Sequence, residues 1–168
     1  FDREWKFITL DGADQYLPET FSDRVHLAHA HMRVMQKAAQ VDFALWWGPE
    51  DKGLFGGYDF NWLPTLDGRY YTLADYAVRR RETETMTAEI SGVELRDIFK
   101  RWIATEELVT WPMVGSDDID DTRRYSIVIP MDLVPKLGIR RKILSAVGIG
   151  PTIMPEQVAR EILAMPAR

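Results

Sequence analysis

Gly68-Arg69-Tyr70-Tyr71-Thr72-Leu73-Ala74-Asp75-Tyr76-Ala77-Val78-Arg79-Arg80-Arg81 is the stretch from which the fold is read. Leu66-Asp67-Gly68 reads as a turn, and Arg69 to Leu73 as a short aromatic strand behind it. The strand runs directly into a segment ending in three consecutive arginines. A strand, a tight connection and a helix start beside guanidinium groups can hold a phosphate. The N–H groups of the helix start point at the anion, and arginine forks bind its oxygens. The same residues are also explained by a strand and an exposed helix whose arginines pair with Glu82, Glu84 and water.

Working outward, Trp5 to Leu10 alternates as a strand and stops at Asp11-Gly12. Ser22 is suited to cap a helix that runs to about Gln40, with Val25, Ala28, Met32, Met35 and Ala39 toward the core. Val41 to Trp47 is expected as a second strand with Val41, Phe43, Leu45 and Trp47 on one face, and Tyr58 to Leu63 as a third. Arg69 to Leu73 is then the fourth strand, and Thr85 to Ile90, behind the arginines, the fifth.

Val93 to Glu107 reads as a helix striped by Val93, Ile98, Trp102 and Ile103. Ser116 to Asp121 reads as a polar loop, and Arg124 to Pro130 as a strand bearing Tyr125, Ile127 and Ile129. Beyond Pro130, short helices broken by Gly138, Gly148-Ile149-Gly150-Pro151 and Pro155 are expected, the last near Glu156 to Ala164. The pattern predicts an α+β fold: a mixed β-sheet with flanking helices and a helical C-terminal end. Residues 1–168 are expected to form one domain, with a mixed-sheet core over 1–130 and a helical extension over 131–168.

The 168 residues are 46% hydrophobic and 28% charged, which suits a globular domain and not a disordered chain. No apolar run is long enough to cross a bilayer as a helix. The chain has no cysteine, which removes disulfides, thiolate metal sites and cysteine nucleophiles, and suits the cytoplasm. The net charge of −5 is unevenly spread. Residues 1–122 carry 13 basic and 23 acidic side chains, whereas residues 123–168 carry 8 basic and 3 acidic. Arg123, Arg124, Arg140, Arg141 and Lys142 in this basic end are expected on an exposed face that assists DNA binding. Neutralisation of the two patches against one another in the fold accounts for the same asymmetry.

Other constellations bear less chemistry. His26, His29 and His31 lie on the first helix without a His-Glu-x-x-His pattern, and packing explains them without a ligand. Asp117, Asp118, Asp120 and Asp121 lack the glycine and closing glutamate of a calcium loop and read as a solvated acidic turn. The six tryptophans are expected to pack before they recognise anything. Arg140-Arg141-Lys142 opens a helical hairpin with a basic edge; the connection is too long and proline-rich for a helix-turn-helix. Walker A, Gly-x-Gly-x-x-Gly and Gly-x-Ser-x-Gly patterns are absent, so P-loop and serine-hydrolase readings are dropped.

Taken in order, the first strand, the helix from Ser22, the segment Gly68 to Arg80 and the strand Met86-Thr87-Ala88-Glu89-Ile90 resemble the ParB/sulfiredoxin fold over roughly residues 5–92. Arg79 and Arg80 take the place of that family's arginine pair, while its preceding glycine is replaced by Asp75-Tyr76-Ala77-Val78. Phe55-Gly56-Gly57 is similar to the sulfiredoxin branch, but that branch's cysteine is missing and its repair chemistry is excluded.

The resemblance implies a nucleotide-phosphate site at Arg79, Arg80 and Arg81. Within the family the chain is most similar to fertility inhibition factors of conjugative plasmids. That implies a bacterial cytoplasmic protein blocking DNA transfer through a type IV secretion system. Its implied partners are DNA, a DNA–relaxase transfer complex and a secretion or coupling-protein component. ATP and Mg2+ are the implied cofactors, with ATP hydrolysis and DNA cleavage as activities. Asp75 and Glu82, which flank the arginines, are the nearest carboxylates for such chemistry and equally suit ion pairing with them. The rival is a non-enzymatic inhibitor that binds a partner protein through an acidic, aromatic-rich surface.

Overall fold

Tyr125-Ser126-Ile127-Val128-Ile129 lies in the middle strand of the described sheet. Ile127, Val128 and Ile129 are all fully buried, as a strand covered on both faces requires. The computed structural model describes residues 24–48, 82–138 and 147–165, and elements are numbered within them. In chain order they are α1 (Arg24–Ala39), β1 (Phe43–Trp47), β2 (Thr85–Ser91), α2 (Gly92–Ile98), a π-helical turn (Phe99–Ile103) and β3 (Leu108–Trp111). A short 3-10 turn (Ser116–Asp118), β4 (Arg124–Pro130), a second 3-10 turn (Met131–Leu133), α3 (Val134–Leu137), β5 (Val147–Ile149) and α4 (Pro155–Ala164) follow.

The five strands form one mixed sheet in the order β3-β1-β4-β2-β5. β1 runs parallel to β4, and the other neighbours are antiparallel. The fold is therefore α+β, a mixed sheet flanked by helices. The expected strands at Val41 to Trp47, Thr85 to Ile90 and Arg124 to Pro130 appear as β1, β2 and β4. Those expected at Trp5 to Leu10, Tyr58 to Leu63 and Arg69 to Leu73 lie outside the described residues.

Alternation in β1 divides the interior in two. Phe43 and Leu45 join Met86, Ala88, Ile90, Ile127 and Ile129 under α2 and the π-helical turn. Ala44 and Trp46 join Val128 under α1 and α4. β1 thus buries both faces, with Phe43 and Leu45 on one side as expected and Val41, ahead of the strand, packed on the other.

α1 is rich in alanine and unbranched side chains that favour helix. It ends where Gln40 adopts a left-handed φ of 55° and donates its N–H to Gln36 O at 2.8 Å, the usual way a helix terminates. Its buried side holds Ala28, Met32 and Met35, as the spacing predicts, and also Ala30, His31 and Val34. α4 begins with Pro155 in its first turn and lays Val158, Ala159 and Ile162 against α1.

The helix expected from Val93 to Glu107 is two pieces. α2 stops at Ile98, and Ala104 N–H then reaches back five residues to Phe99 O at 2.9 Å. This wider turn buries Phe99 and leaves Lys100 and Arg101 outside. The expected core position Val93 is exposed instead, because the buried side of α2 is Gly92, Leu95 and Ile98.

Two strands went unanticipated. β3 forms an edge beside β1, and β5 pairs with β2, so the chain beyond residue 130 contributes to the sheet between its helical pieces.

Candidate functional site

Glu82 is the described residue nearest the arginine run. It is exposed and leads through Thr83, which bridges Ile153, into β2. Asp75, Arg79, Arg80 and Arg81 lie outside the described residues, as do Arg140, Arg141 and Lys142.

Arg123 and Arg124 are both exposed where β4 begins, as expected of the basic end. Arg123 has an acidic neighbour. Arg123 Nη2 lies 3.4 Å from Asp42 Oδ1, and its guanidinium sits 4.8 Å from the centre of the Tyr125 ring. Asp42 is itself fixed by Ser126, whose N–H and hydroxyl donate to Asp42 Oδ2 at 2.9 and 3.2 Å. In return the Asp42 N–H donates to Ser126 Oγ at 3.0 Å. This clasp ties the chain entering β1 to its parallel neighbour β4. The Ser126 hydroxyl is thus engaged with the Asp42 carboxylate.

On the other face at this end, α2 starts in a tight polar frame. Ser91 Oγ accepts from Glu94 N–H at 3.1 Å, and Glu94 Oε2 accepts from Ser91 N–H at 3.2 Å, a complete capping box. Gly92 N–H donates to Arg123 O at 2.7 Å, and a Cβ at Gly92 would fall 1.9 Å from Asp120 O. Only hydrogen fits there.

Arg96 donates to Ile119 O and pairs with Asp121 at 3.0 Å. Asp120 N–H donates to the Tyr125 hydroxyl, and Asp120 Oδ1 accepts from the Thr122 hydroxyl and N–H at 2.7 and 2.9 Å. These Thr122 hydrogen bonds, the side-chain one first, hold the Asp120 carboxyl below its ordinary range, with the positive charges of Arg123 and Arg96 adding to them. The acidic turn is thus an anchoring element. Among the described residues no group of three or more histidines and carboxylates is placed to hold a metal ion.

A second polar cluster lies between α1, β1, β3 and α4. His31 is 1% exposed and stacks on Trp46 at 4.5 Å, and His29 tilts against Trp111 at 5.7 Å. Arg33 pairs with Glu161 at 2.7 Å while its guanidinium lies 5.2 Å from the Trp111 ring centre; Lys37 reaches the same carboxylate at 3.6 Å. Trp46, Trp47 and Trp111 pack in or against this core, and Trp102 packs on the opposite one. Trp46 and His31 are thus buried, while Trp47, Trp102, Trp111 and His29 pack with part of their surface exposed. Sequence spacing carried no signal for the Asp42–Arg123 or Arg33–Glu161 pairs, which join residues far apart in the chain.

No family model matches the chain, and no curated protein matches it. Among solved structures it is similar to a Staphylococcus aureus protein assigned as a 5'-nucleotidase, determined in complex with alpha-ketoglutarate. The TM-score is 0.47 and the identity 12%, over 89% of this chain and 36% of the other. The chain therefore spans little more than a third of that neighbour's length. Among the described residues no helix is long and apolar enough to cross a membrane.

Proposed function

We propose that the chain is a ParB/sulfiredoxin-like factor of a conjugative plasmid. In this reading it acts in the bacterial cytoplasm, inhibits fertility and blocks DNA transfer through a type IV secretion system. Arg79, Arg80 and Arg81 bind DNA or nucleotide phosphates. ATP with Mg2+ is the nucleotide partner, and DNA cleavage is the reaction that such a site performs on a transfer complex. The observation carrying the reading is the arginine run itself, which passes through exposed Glu82 into β2, a strand present where the resemblance requires one. Arg123 and Arg124, exposed where β4 begins, are the described part of the basic end that this reading assigns to DNA.

The test is binding and cleavage of labelled DNA by purified protein, with and without ATP and magnesium. Arg80→Lys impairs binding, because an ammonium cannot reproduce bidentate guanidinium contacts. Arg79→Ala and Arg80→Ala impair it further, with stability within about 0.5 kcal/mol of the parent, as for most surface changes. Lower stability with intact binding overturns the reading. The rival, an inhibitor of a partner protein, draws on the exposed acidic residues Asp117, Asp118, Asp120 and Asp121. Trp46 is buried, whereas Trp47, Trp102 and Trp111 are partly exposed, as aromatic anchors of an interface would be. A salt titration separates the two, since contacts to several phosphates weaken steeply with salt.

A further inference from the structure

We draw no further inference here: the strongest candidate, the outer edge of β5 around Ile149, which is 91% exposed, is an apolar sheet edge with nothing in the structure to show what covers it.

Discussion

The two faces of the sheet are covered by different means. Over one face lie α1 and α4, drawn from opposite ends of the described chain and joined mainly by apolar bulk: Met32, Met35, Trp46, Val158 and Ile162. Over the other lies α2, continuous with β2 at Ser91–Gly92 and fixed by a capping box, a backbone close approach and the Asp120–Arg123 turn. A cover from distant segments depends on shape and volume, because its parts meet only in the folded state. A cover adjacent in sequence depends on its first turn, because the position of that turn sets everything after it.

The comparison breaks most visibly at Trp46. Trp46→Ala removes the ring beneath His31 and leaves a cavity that α1 and α4 cannot both close. A loss of about 3–5 kcal/mol is expected in urea unfolding. A loss below about 1 kcal/mol means the distant cover is looser than its burial implies. Gly92→Ala tests the opposite face with a single methyl group. The added carbon meets the Asp120 carbonyl, and α2 must shift, at roughly 1–3 kcal/mol. A neutral result would show that the start of α2 is not the fixed point described.

Ser91→Ala removes half the capping box and costs about 1 kcal/mol, with Glu94→Ala largely non-additive because both act on one cap. Additive losses would separate them. The smallest effect sharpens the comparison through pH. The Asp120 carboxyl lies below its ordinary value of 3.8, so its stabilisation is present above that value and is lost as pH falls through the lower, folded one. Thr122→Val should raise the Asp120 pKa in a carbon-detected titration and flatten that acid limb. An unmoved pKa assigns the shift to the residue-122 N–H, which valine keeps, and to the arginines.

β2 was legible from the alternation of Met86, Ala88 and Ile90, and β4 from Tyr125, Ile127 and Ile129 at the same period on the same side, although Val128 between them is buried on the other face. β3 was not. Leu108-Val109-Thr110-Trp111 is four residues long, and its strand character comes from pairing with β1. β5 was hidden by Gly148, which reads locally as a turn; its identity lies in the register with Met86 and Ala88. The stripe through Val93 assumed an uninterrupted 3.6-residue period, which the wide turn after Ile98 breaks. At the candidate site, local charge foretold the exposure of Arg123 and Arg124. It could not foretell Asp42 as a partner, since that pairing is made by parallel strands far apart in sequence.

Glu161 and Arg33 have a bearing on alignment. Alanine and valine surfaces slide past one another with little preference, because burial is non-directional. Glu161 meets Arg33 and Lys37, one helical turn apart on α1, while Arg33 also lies over Trp111 of β3. Slipping α4 along α1 by one turn would pull the carboxylate from Arg33, and α1 could not follow without dragging its guanidinium off the indole. The guanidinium works as an index mark, a point at which α1, β3 and α4 are read against a common scale.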